Sequence, residues 1–119
     1  MRAGDYFQVG TAVLMATQPR QPCYKLGIRL QDDTVVARFR RAGRSGIYFR
    51  VQQEGIVQAG DAITLVQPSA HPVTIHQMAQ VYTPGPQDPV TLAAILDLPF
   101  LSASWRERVQ RLLVQQVRA

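Results

Sequence analysis

Cysteine and lysine are almost missing from this 119-residue chain: Cys23 is the one cysteine and Lys25 the one lysine. A single thiol excludes an internal disulfide and any zinc site built on two cysteines, and it fits a reducing compartment. Histidine is also scarce. His71 and His76 lie five residues apart, where a helix would point them to different faces, so they read as surface or linker residues and not as a two-histidine metal site. No apolar run approaches the roughly 20 residues of a membrane span, and Met1-Arg2-Ala3-Gly4-Asp5 is not followed by a signal-type apolar region. The expected location is the cytoplasm, with no membrane partner. The phosphate loop G-x-x-x-x-G-K-[ST], the dinucleotide fingerprint G-x-G-x-x-G, the nucleophile elbow G-x-S-x-G and the zinc-protease motif H-E-x-x-H do not occur. Nucleotide hydrolysis, dinucleotide binding and the common hydrolase routes therefore lack their usual residues.

What the chain does hold is arginine. A formal charge of +5 comes almost wholly from guanidinium groups, the planar two-pronged donors suited to phosphate, which leaves an anionic ligand and a solvated basic surface both open. With 46% hydrophobic residues the chain can also build a core. The lone cysteine sits in Gln18-Pro19-Arg20-Gln21-Pro22-Cys23-Tyr24-Lys25-Leu26. Two prolines restrict the backbone on either side of Gln21, while Arg20 and Lys25 flank the thiol with cations of the kind that favour thiolates. Cys23 is thus the first candidate site residue. The alternative is a small buried hydrophobe, the commonest fate of a free cysteine.

In chain order, Asp5 to Val9 and Thr11 to Ala16 read as strands meeting in a hairpin at Gly10. Tyr24 to Leu30 is apolar at uneven spacing and fits a turn of helix or a strand. Asp32 or Asp33 can cap a helix from Thr34 to Arg41, with Gly43 at its C-terminal stop and Arg38, Arg41 and Arg44 suiting the C-terminal dipole. Gly43-Arg44-Ser45-Gly46 leads into a strand with Ile47, Phe49 and Val51 on a core face and Tyr48 and Arg50 on a polar one; whether Arg50 meets a pocket or solvent stays open. Ala62 to Val66 is one more strand.

The character changes at Gln67-Pro68-Ser69-Ala70-His71-Pro72, so a boundary falls after residue 67. Beyond it, Ile75, Met78, Ala79 and Tyr82 have helical spacing from a start at Pro72, Asp88-Pro89 opens a second helix, and Ser104-Trp105-Arg106-Glu107 fits a capping box for a third. Trp105, Val109, Leu112 and Leu113 form its apolar stripe, with Arg106, Gln110 and Gln115 opposite. A bundle this small should lean on the strand domain or on another chain. The expected fold class is α+β: a partial β-barrel over residues 1–67, then a small three-helix bundle over 68–119.

These segments together resemble a known family. Asp5 to Ala12, the Cys23 segment, Gly43 to Val51 and Val57-Gln58-Ala59-Gly60-Asp61 are similar to the second half of a MOSC domain, named for the C-terminal domain of molybdenum cofactor sulfurases. Leu98-Pro99-Phe100-Leu101 and Ser102-Ala103-Ser104-Trp105-Arg106 resemble the three-helix extension of a bacterial branch. The resemblance implies a β-barrel fold and makes Cys23 the catalytic residue and the protein ligand to molybdenum in a pterin-dithiolene (molybdopterin) cofactor. Arg20, Lys25 and Arg44 would then bind the cofactor's phosphate. It implies an oxidoreductase that reduces N-hydroxylated bases and amidoximes with electrons from a separate redox protein. Because the family pattern begins only at about Gly4, the resemblance also implies open strand edges, covered by a second copy or by a companion chain.

Two other classes stay open. The barrel fragment and helices could form a non-catalytic interaction scaffold. Arg38, Arg40, Arg41 and Arg44 beside a glycine loop weakly suggest nucleic-acid binding, but no aromatic ladder accompanies them and nucleic acid is the less favoured partner.

Overall fold

The structure is a computed structural model that describes residues 1–43 and 46–118. Strands β1 (Tyr6–Val9) and β2 (Ala12–Pro19) pair as an antiparallel hairpin with Val9 opposite Ala12. Gly10 makes the turn possible. Its φ is +57°, and a Cβ there would lie 2.2 Å from the Ile56 carbonyl oxygen, a distance no side chain tolerates. Two helices follow, α1 (Tyr24–Leu30) and α2 (Val35–Ala42), then β3 (Ile47–Gln53) and β4 (Ile63–Gln67). The ambiguous segment from Tyr24 is therefore helical. All four strands join one antiparallel sheet in the order β3-β2-β1-β4. The sheet stays open, with β3 and β4 as its outer strands.

Three helices complete the chain: α3 (Ile75–Gln80), α4 (Pro89–Leu96) and α5 (Ala103–Arg118). Their starts refine the sequence reading. Thr74, not Pro72, caps α3, in a capping box where its hydroxyl accepts from Gln77 N and the Gln77 side chain accepts from Thr74 N. For α5 the hydroxyl facing Trp105 N is that of Ser102, two residues earlier than expected. Asp88 and Pro89 open α4 as the sequence suggests. Arg106, expected on the solvated face of α5, instead donates to the carbonyls of Leu96 and Leu98 at 3.0 and 3.3 Å. The Leu96 carbonyl ends α4, where a cation suits the helix dipole, and Leu98 lies two residues beyond it.

One core runs through both parts. Ala3, Phe7 and Ala16 from the sheet side are buried with Ile75, Met78, Leu92, Ile95, Trp105 and Val109 from the helices and Val73 and Leu98 from the segments beside them. Trp105 also meets Tyr82 edge-on, with ring centroids 5.1 Å apart, and the Arg108 guanidinium lies 4.1 Å from the Tyr82 ring centroid. The helices lean on the sheet, as a bundle of this size must. Among the described residues no helix is long and apolar enough to cross a membrane.

The outer strands depart from expectation. Pairing sets Val51, Leu14, Phe7 and Leu65 in one row across the sheet, with Phe49 and Ala16 on one side of it and Ala12, Val9 and Ile63 on the other. That face is apolar throughout. Yet Val51 is 57% exposed and Ile63 65% exposed, so the core closes only over the centre of the sheet. The β3 face expected to meet the core does so at Ile47, which packs against it, and at Phe49, which meets Phe7 edge-on, while Val51 stays exposed.

Candidate functional site at the cysteine segment

Cys23 is presented to solvent, which removes the buried-hydrophobe reading. The local sequence explains why. Pro19 ends β2 and Pro22 is buried, while Arg20 N donates to the Gly46 carbonyl at 2.9 Å, pinning the segment beside the loop that enters β3. Cys23 then takes the extended N-cap position of α1, its carbonyl accepting from Leu26 N at 3.0 Å. The thiol therefore stands at a bend between two fixed points.

Helices α1 and α2 form the walls beyond it. Gln31 ends α1 in the left-handed conformation (φ 52°), and Gly27 allows α2's entry to come close, since a Cβ on it would lie 3.0 Å from the Asp32 carbonyl oxygen. Asp32 accepts from both Thr34 N and Thr34 Oγ1, at 2.9 and 2.7 Å, and pairs with Arg38. Thr34 itself is the N-cap residue of α2, so Asp32 supports the helix start from one step outside it. Between the two helices lies a cleft of about 770 Å³ whose lining includes Cys23, Tyr24, Ile28, Asp33, Val36 and Arg40.

Arg40 is the site residue that sequence reasoning missed. It was visible only as one of several arginines on α2, but Val36 and Arg40 are four apart, so a helix places them on one face, and that face looks toward the cysteine. A guanidinium and a thiol thus share one cleft. Of the residues expected to bind an anion, Arg20 is exposed and lies over Gly46, its Cβ and Cδ 3.6 Å from where a Cβ on that glycine would sit. Lys25 is exposed on α1 and is not among the cleft's lining residues. Arg44 lies outside the described residues, as does Ser45. Arg50 is exposed on β3, where it borders a shallow hollow with Tyr6, Gln52 and Phe100 and takes no part in the Cys23 cleft.

Gln21 Oε1, two residues before the thiol, is buried without a hydrogen-bond partner, but Gln21 is not among the residues that line the cleft. Among the described residues there is no group of three or more His, Cys, Asp or Glu placed to hold a metal ion. A metal bound at Cys23 would therefore take one soft ligand from the protein and bring the others with it. A pterin-dithiolene group does this.

Residues 1–64 match the family model of the MOSC domain, and residues 73–116 match that of the YiiM-like, 3-alpha helix domain. The chain belongs to the MOSC family, in its YiiM-like branch. It is 30% identical over 108 residues to the protein YiiM of Escherichia coli strain K12, covering 91% of this chain and 48% of that protein. A protein named reductase from Gibberella moniliformis is 37% identical over 65 residues, 54% of this chain and 12% of its own length. The crystal structure of YiiM from Geobacillus stearothermophilus superposes with a TM-score of 0.84 at 35% identity, over 95% of this chain and 58% of that one. The chain spans about half the length of the curated relatives it matches.

The anchoring of α2 responds to pH. The Thr34 hydroxyl, then the Thr34 N–H and the Arg38 guanidinium, hold the Asp32 carboxyl below the ordinary aspartate value of 3.8. A depressed folded-state value stabilises the fold above the unfolded value and loses that contribution as pH falls through the folded one. Asp32→Asn should therefore lower the thermal midpoint of the protein modestly at pH 6. By circular dichroism that difference between variant and parent should shrink as the pH falls below the ordinary aspartate value of 3.8.

Proposed function

We propose that this chain binds a molybdenum-pterin cofactor through Cys23 and serves an oxidoreductase that reduces N-hydroxylated bases and amidoximes. The observation that carries this reading is an exposed thiol sharing a cleft with Arg40 in a MOSC-family chain. When bound, the cofactor supplies the two-electron chemistry: two electrons and two protons convert N–OH to N–H and water. The electrons come from a separate redox protein.

The chain's own residues do simpler work. Cys23 Sγ would hold the metal by a single soft bond. Arg40 pairs with the anionic end of the bound group inside the cleft, while Arg20 and Lys25 add positive charge at its margins. The packed prolines, Pro19 and Pro22, keep the thiol from swinging away. Tyr24, Ile28 and Val36 offer that group an apolar wall.

A reductase assay with a reduced viologen as artificial donor tests this. Cofactor-loaded wild type should consume a benzamidoxime, Cys23→Ser should fall to background, and Arg40→Met should need about tenfold more cofactor for half-loading, equivalent to roughly 1.4 kcal/mol. No turnover by the loaded wild type would sink the enzyme reading and leave the scaffold.

We further propose that the uncovered sheet face packs on a second copy of this chain. Its rows contain Phe49, Val51, Leu65 and Ile63 and no charged side chain, so two such faces complement one another, and β4 offers an unpaired edge without lysine or proline. Sedimentation velocity at micromolar concentration should give a dimer that Leu65→Glu returns to monomer. A clean wild-type monomer would contradict it.

A further inference from the structure

The face of the sheet turned away from Phe7, Leu14 and Val51 carries a second arrangement. Met15 pairs with Tyr6 on β1 and with Arg50 on β3, so these three side chains form one row across the strands. A hollow of about 320 Å³ is lined by that row together with Gln52, Pro99 and Phe100. An adjoining one of about 210 Å³ shares Tyr6, Met15, Pro99 and Phe100 with it and reaches Gly4, Ser69 and His71. The two are lobes of one depression between the sheet and the corner that joins α4 to α5.

Its floor is closed, since Met15 is 5% exposed. Phe100 stands edge-on to His71, with ring centroids 6.2 Å apart, and close over Gly4, 3.5 Å from where a Cβ on that glycine would lie. In the smaller lobe the Ser69 hydroxyl is already committed, donating to the Ala3 carbonyl and accepting from His71 N. Arg50 differs. Among the described residues its guanidinium has no ion-pair or hydrogen-bond partner, and no aspartate or glutamate lines either lobe. A guanidinium is charged at every physiological pH and presents only donors, so what it offers depends on no tautomer or neighbour.

We propose that this hollow binds an aromatic monocarboxylate, its ring on Met15 between Tyr6 and Phe100 and its carboxylate on the Arg50 guanidinium. Both parts of the ligand are needed. An anion alone would gain little from a solvated arginine, and a hydrocarbon alone would leave that charge unmatched. Arg50 is the one arginine or lysine among the described residues that line the lobes, which suits a single negative charge better than the two of a phosphate. The site lies apart from the Cys23 cleft, on the face opposite the one that packs on a second copy, and it uses no metal.

2-Naphthoate and 2-naphthamide test this, because they share a ring system and differ in charge. With metal-free protein, so that the outcome does not depend on cofactor loading, the carboxylate should bind about three- to tenfold more tightly at low salt, and added salt should narrow the gap. In heteronuclear NMR titrations the amides of Met15, Gln52 and Phe100 should shift. Arg50→Met changes an exposed side chain and keeps an apolar stem, so the fold should persist and the preference should disappear. Equal affinity for the two probes, a preference that survives Arg50→Met, shifts confined to the Cys23 cleft, or no binding of either probe would overturn the proposal.

Discussion

The buried carboxylate of Asp5 joins the two ends of this fold. It is 6% exposed, its Oδ2 accepts from Arg2 N at 2.8 Å, and its Oδ1 accepts from Ser69 N at 2.7 Å. Ser69 returns the connection, donating its hydroxyl to the Ala3 carbonyl and accepting from His71 N. The first residues of the chain are thereby fixed to the segment that leads from sheet to helices. Ala3 is fully buried beside Val73 as a result, and a hydrogen bond of 2.9 Å from Ala3 N to the Val73 carbonyl extends the seam. Losing one partner of such a pair leaves a buried charge or donor unmatched, which costs more than the bond itself contributes. The single core from Phe7 to Val109 depends on that seam.

Helical signals in the sequence were the most legible. Gly43 after an arginine-rich helix, Asp88-Pro89 and the Trp105 stripe each rest on local chemistry that tertiary contacts did not override. The hairpin at Gly10 was legible for the same reason. Caps were read less well, because serine and threonine occur at several neighbouring positions and only the backbone decides which of Ser102 and Ser104, or Pro72 and Thr74, stands at the helix start. Strand faces are legible as apolar, and they are covered at Phe7, Ala16 and Ile47 but not at Val51 and Ile63. Alternation reports which side of a strand is oily and says nothing of what lies against it.

The candidate site divides along the same line. Cys23 stood out through its prolines and its rarity. Arg40 did not, since its meeting with the cysteine requires α1 and α2 to fold back on each other through Gly27 and Gln31, a tertiary fact. Asp32 pairing with Arg38 also accounts for part of the arginine cluster that had suggested nucleic acid, because one of those cations is committed to holding its own helix.

The account rests on a single soft ligand in a cleft that also holds the Arg40 guanidinium, with no group of three metal-binding side chains among the described residues. Such a site is useful only to a metal that arrives with its own ligands. The most direct measurement is the molybdenum and pterin content of the chain purified from a host that makes the cofactor, beside the Cys23→Ser variant. The account predicts that both co-purify with the wild type and that both are lost in the variant. A wild type that carries neither, or a variant that keeps both, would contradict it.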